Sequence, residues 1–199
     1  MHISEGILSG GTLIAGWAGS VAGISYGLKH TDPEKIVRTA FTSSVFFLAS
    51  LVNVRIGPSS THLTLLAPMG IILGDAVFPA VFVALLLQAV LFHFGGLVVL
   101  GANTFAMAFP ALMTHVIFGR AICESSGKFR TMTLSFMAGT FTVMAGACIA
   151  GTFLGMTDKN FLGAVKLLLI AHVPLAVIEG VVTAFLVIWL KRVMPESLQ

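Results

Sequence analysis

Charge is scarce in this chain. Only 19 of its 199 residues are charged, 11 Lys or Arg and 8 Asp or Glu, and the resulting 10% compares with about 25% in soluble domains. A soluble domain must cover its surface largely with polar groups. A hydrophobic fraction of 57% and a mean hydropathy of +1.00 therefore exclude one here. Disorder is excluded as well, since it needs low hydrophobicity and high charge. Cysteine is nearly absent, and Cys123 and Cys148 form no spaced pair that could make a disulfide framework. A net charge of +3 is too small to indicate nucleic acid as a partner. The sequence also lacks a basic n-region and a small-residue cleavage site, so its start does not read as a cleavable signal peptide. What remains is a polytopic protein of the lipid bilayer.

Length sets the number of crossings. A helix needs about 20 residues to span about 30 Å of hydrocarbon, so six or seven fit and ten do not. Twenty-one glycines suit packed membrane helices better than a barrel, whose segments would be short and alternating. Apolar stretches lie at 8–28, 39–54, 60–74, 77–99, 103–118, 131–155 and 163–190. The expected fold is an all-α bundle of about seven transmembrane helices forming a single domain over 1–199. The third and fifth stretches are short, which fits a re-entrant or broken element, and Pro68 and Pro110 predict kinks there. Gly19, Gly23 and Gly27, and again Gly151 and Gly155, make small-residue stripes for close helix packing. Eight of the eleven basic residues (Lys29, Lys35, Arg38, Arg120, Lys128, Arg130, Lys191 and Arg192) fall on one side of a seven-span topology. The positive-inside rule then puts the N-terminus outside and the C-terminus in the cytoplasm of a multi-pass protein of the plasma (inner) membrane.

The residues that could carry chemistry are few. Met1-His2 offers three adjacent nitrogens: the α-amine, the His2 amide once deprotonated, and the His2 imidazole. Binding through amine and amide closes a five-membered ring, and adding Nδ1 closes a six-membered one. Such a set is forced nearly planar, which suits square-planar nickel(II) or copper(II) rather than tetrahedral zinc. The bland alternative is a short exposed tail. A fourth nitrogen could come from His62, His93 or His172, each assigned to the side that holds the N-terminus; His30 and His115 fall near the other side. Glu5 could orient His2 or the amine, or serve as a cap. Gln88 and Asn103 could hold the N-terminal segment inside the bundle, or join helices. Asp75 is expected in a loop, capping the fourth span, and Glu179 lies deep in the seventh span with no evident partner.

Met-His-Ile-x-Glu-Gly at residues 1–6 resembles the opening of the cobalt/nickel substrate-binding membrane subunits of energy-coupling-factor transporters, the CbiM/NikM family. The segments Ser60-Thr61-His62-Leu63, Gly70–Gly74, Leu87–Phe92, Phe94-Gly95-Gly96-Leu97 and Leu100–Thr104 extend the likeness, which covers residues 1–8 and 55–112. It implies a seven-helix subunit with its N-terminus tucked into the bundle. It further implies that the Met1 amine, the His2 amide and imidazole, and the His62 imidazole hold the metal. The cargo would be nickel(II), or cobalt(II), rather than a prosthetic group. Family members work with a transmembrane coupling subunit and cytoplasmic ATPase subunits, and some use a small auxiliary membrane protein. The chain has no Gly-x-x-x-x-Gly-Lys-Ser/Thr loop and no His-Glu-x-x-His motif, so it is expected to be no enzyme and to rely on partners for ATP hydrolysis. Two features depart from the family pattern. Ala67-Pro68 stands where many relatives have Asn-Gly, and His93 stands where glycine is common, which favours an interhelical hydrogen bond for His93 over a shared ligand role. The alternative function is a metal-independent membrane scaffold or channel subunit.

Overall fold

The structure, a computed structural model, describes residues 2–51, 53–56 and 59–198; for Glu34, 53–56 and 59–62 it describes the backbone alone. Its elements in chain order are α1 (Gly10–His30), α2 (Ile36–Leu51), β1 (Asn53–Ile56), β2 (Ser59–His62), α3 (Leu66–Leu73), α4 (Val77–Phe92), α5 (Leu100–Thr114), α6 (Arg120–Glu124), α7 (Lys128–Thr157) and α8 (Leu162–Val193). Ser9 caps α1, its Oγ accepting from the Thr12 N–H. A π-helical turn, His115–Gly119, joins α5 to α6, so that Leu100–Glu124 reads as one 25-residue apolar run. Among the described residues four runs meet the length and composition of a membrane span, Leu66–Phe92, Leu100–Glu124, Lys128–Thr157 and Lys159–Val193, although the first of them is interrupted at Gly74. The 21-residue α1 reaches about 32 Å at about 1.5 Å per residue, and the apolar α2 has 16 residues.

The expected third span, 60–74, is not a crossing helix. Residues 53–62 form an antiparallel strand pair, Asn53 opposite His62 and Ile56 opposite Ser59. Helix follows only from Leu66, for eight residues, and stops at Gly74, whose φ of 53° turns the chain back into α4. The directions follow from contacts. Gly70 packs against Ala111 and Gly74 against His115, so α3 runs alongside α5. Gly23 meets Phe78 and Gly27 meets Asp75 and Pro79, so α4 runs opposite to α1. The count of seven membrane helices is thus not met among the described residues: a strand pair and a half-length helix replace one of them. Pro68 sits in the first turn of α3, where its missing N–H has no partner to lose, and so makes no kink. Pro110 and Pro174 lie inside α5 and α8.

The glycine stripe of α1 is used within the chain: Gly16 lies against Ala102, Gly19 against Phe105 and Gly23 against Phe78. On α7 and α8 Gly139 lies close against the Glu179–Gly180 backbone, where an added Cβ would come within 2.7 Å of main-chain atoms. Of the second stripe, Gly151 faces Val165 and Gly155 faces nothing within 4 Å. Helix directions place the eight basic residues at one end of the bundle. There Lys191 Nζ donates to the Ser125 carbonyl (2.6 Å), and Arg38 donates to the carbonyls of Ile72 and Ser197. The N-terminal segment sits at the opposite end, where Thr157 Oγ1, at the close of α7, accepts from the Ser9 N–H at 3.2 Å. Asp75 lies in the 3-10 turn before α4 without a side-chain capping bond.

Candidate metal-binding site at the chain's N-terminus

Residues 2–5, a strip without helix or strand, lie between the end of α4, the loop after it and the start of α5. The Asn103 amide grips Ile3 on both backbone groups, accepting from its N–H at 2.9 Å and donating to its carbonyl at 3.0 Å. Ile3 itself is buried. The Glu5 N–H donates to the Gly95 carbonyl (3.1 Å), and Glu5 Oε1 accepts from the Val98 N–H (2.9 Å). Gly95 and Gly96, at φ of 79° and 131°, make this approach feasible. A Cβ on the first would meet Asn103 Nδ2, and one on the second would overlap the Glu5 side chain.

His2 is fixed by a relay that also decides its tautomer. Its Nε2 lies 2.8 Å from Gln88 Oε1, Gln88 Nε2 donates to Ser50 Oγ at 2.7 Å, and Ser50 Oγ donates to the Phe47 carbonyl at 2.6 Å. Ser50 has one proton, committed to Phe47, so it must accept from Gln88. That turns the Gln88 carbonyl toward His2. A carbonyl can only accept, so Nε2 carries a proton, and in the neutral ring Nδ1 holds the lone pair. Gln88 and Ser50 are almost wholly buried, which keeps water from competing for the relay.

Met1 and the His62 side chain lie outside the described residues; the His62 backbone closes β2. His93, expected in a hydrogen bond between helices, is exposed and caps α4 in the left-handed region (φ 57°), a conformation that favours glycine. His172 is buried. Its Nδ1–H donates to the Leu168 carbonyl (2.7 Å), and its Nε2 has no hydrogen-bond partner among the described residues. His30 and His115 lie at the basic end, where His30 Nδ1–H donates to the Tyr26 carbonyl at 2.8 Å. Among the described residues no three His, Cys, Asp or Glu side chains gather as a metal site would require.

Residues 2–197 match the profile of a family described as the cobalt uptake substrate-specific transmembrane region, CbiM. The chain belongs to this family. Other CbiM-like proteins align along its length. A Haemophilus influenzae protein whose name speaks only of metal transport is 37% identical over 198 residues, 98% of this chain and 96% of that one. The fused nickel transport protein NikMN of Rhodobacter capsulatus is 28% identical, covering all of this chain and 64% of its own length. A crystal structure of a truncated transition metal transporter superposes with a TM-score of 0.77 at 24% identity, over 96% of this chain and 99% of that one, a likeness of fold. This chain accordingly belongs to a family of transmembrane components of cobalt uptake.

Two partners escape a reading of the sequence. Ser50, which orients Gln88, is one more small polar residue in α2, and nothing in its local pattern singles it out. Glu179 accepts the backbone N–H groups of Thr64 and Leu65. Only its depth in an apolar run signals that it must have partners.

Proposed function

We propose that the chain is the metal-capturing membrane subunit of an ATP-driven, energy-coupling-factor uptake transporter, with nickel(II) the preferred cargo and cobalt(II) second. The ligands in this reading are the Met1 α-amine, the His2 amide and Nδ1, and the His62 imidazole. The observation that carries it is the His2 tautomer. A chelate that runs from the amine through the amide to the imidazole closes on Nδ1, and the Gln88 relay keeps the proton on Nε2. A neutral ring protonated on Nε2 offers Nδ1 to a metal, and fixing that tautomer is the usual contribution of a partner to a ligating histidine. Asn103 and Glu5 support the reading further by holding the strip that presents the nitrogens. Four nitrogens in a plane favour a metal that accepts square-planar geometry.

The chain carries no phosphate-binding loop, so ATP hydrolysis belongs to cytoplasmic ATPase subunits and reaches the bundle through a transmembrane coupling subunit. A small auxiliary membrane protein joins in some systems of this kind. The basic end faces the cytoplasm by the positive-inside rule, leaving the N-terminal end to meet metal outside. The test compares nickel titrations of purified protein with its native N-terminus, with one residue added ahead of Met1, and with His62→Ala. The added residue is expected to weaken binding at least a hundredfold and to abolish the planar-nickel absorption band. His62→Ala is expected to shift that band. Equal binding by native and extended chains would overturn the chelate.

A further inference from the structure

We propose that Glu179 is a positioning residue for the metal site, setting His62 through the backbone that follows it; this rests on the reading of His62 as a ligand. Glu179 is 1% exposed in the middle of α8. Among the described residues its carboxylate takes hydrogen bonds from main-chain N–H groups. Oε1 accepts the Thr64 N–H, and both oxygens lie 3.2 Å from the Leu65 nitrogen. Thr64 and Leu65 stand two and three positions beyond His62, in the short link between β2 and α3.

That link needs holding. Leu65 has φ 49°, a left-handed conformation that a β-carbon resists, and it is the residue that turns the strand direction into the helix direction. The N-terminus of α3 also brings unpaired N–H groups into a nearly dry interior, where each is costly unless bonded. A carboxylate there accepts from the N-cap residue Leu65 and from Thr64 before it, and matches the positive end of the helix dipole. The helix that carries it is closely packed, because the Glu179–Gly180 backbone lies against Gly139 of α7 and Gly180 packs on Phe136 and Thr140. A rigid helix pair thus reaches across the bundle and fixes the chain two residues past the proposed ligand. A cap serving only the fold would have no reason to influence the metal's electronic environment; a positioning residue must.

The experiment measures nickel affinity and the visible absorption band in the full-length protein with a free N-terminus, for wild type, Glu179→Ala, Glu179→Gln and His62→Ala. Thermal unfolding of the metal-free proteins reports folding. Glu179→Ala is expected to bind nickel at least tenfold more weakly, with its band moved toward that of His62→Ala. Glu179→Gln keeps one acceptor and is expected to recover most of the wild-type band at intermediate affinity; it carries the test if the alanine variant fails to fold. A wild-type band in the folded variants, whatever their stability, overturns the proposal. A wild-type band in His62→Ala instead removes the ligand assignment on which it rests, so the two failures are told apart by that control.

Discussion

At the scale of single residues, the proton on His2 matters more than the position of its ring. The relay from Phe47 through Ser50 and Gln88 selects one tautomer by counting donors. Replacing Gln88 by Leu leaves size nearly unchanged and removes the acceptor. Nickel affinity is expected to fall ten- to hundredfold, the range found when a partner of a metal-bound histidine is removed, measured by calorimetric titration beside a melting curve of the metal-free protein. His93 illustrates the opposite case. Its place at the left-handed C-cap of α4 costs about 1 kcal/mol relative to glycine. Gln88 and Asn103 were legible as residues because the family pattern brackets them. Ser50 was not, since its role depends on an amide 38 positions away.

At the scale of elements, the half-length helix is where hydropathy misleads. Apolar length reports burial and is silent on conformation, so 60–74 reads as a weak span although its first residues pair as a strand. Eight residues are too few to hold a helix in isolation. The structure instead secures α3 at both ends: Glu179 accepts from N–H groups at its start, and the Arg38 guanidinium donates to the Ile72 carbonyl (2.6 Å) near its finish. Both charges complement the helix dipole. Arg38 was readable from sequence only as a marker of sidedness, because its partners lie 34 and 159 positions away. Arg38→Ala is expected to destabilise the protein by about 1.5–3 kcal/mol, the usual cost of losing a hydrogen bond from a charged donor. Hydrogen exchange should show the loss concentrated in residues 66–73; uniform exchange would mean that α3 does not depend on it.

At the scale of the whole molecule, the all-helical membrane class and the grouping of basic residues were visible from composition and loop charge. The helix count was not, because hydropathy gives a half-length helix entered through a strand pair the weight of a full span. The two ends of the bundle differ sharply. One receives the N-terminal strip. The other holds the basic residues and a cavity of about 490 Å³ lined by His30, Lys35, Arg38, His115 and Cys123 among others. If the basic end faces the cytoplasm, an impermeant thiol reagent should label Asp158→Cys on intact right-side-out vesicles and Lys128→Cys only after permeabilisation, both in a background with Cys123 and Cys148 replaced. The reverse pattern would invert the topology. The N-terminal strip also imposes a schedule. Ile3 is held by a residue 100 positions later, so at about 5–20 residues per second the first residues made must wait roughly 5–20 seconds for their partner to be synthesised. During that interval α1, α2 and α4 can be in the membrane while the strip remains undocked. Docking of the strip is therefore timed by the arrival of α5.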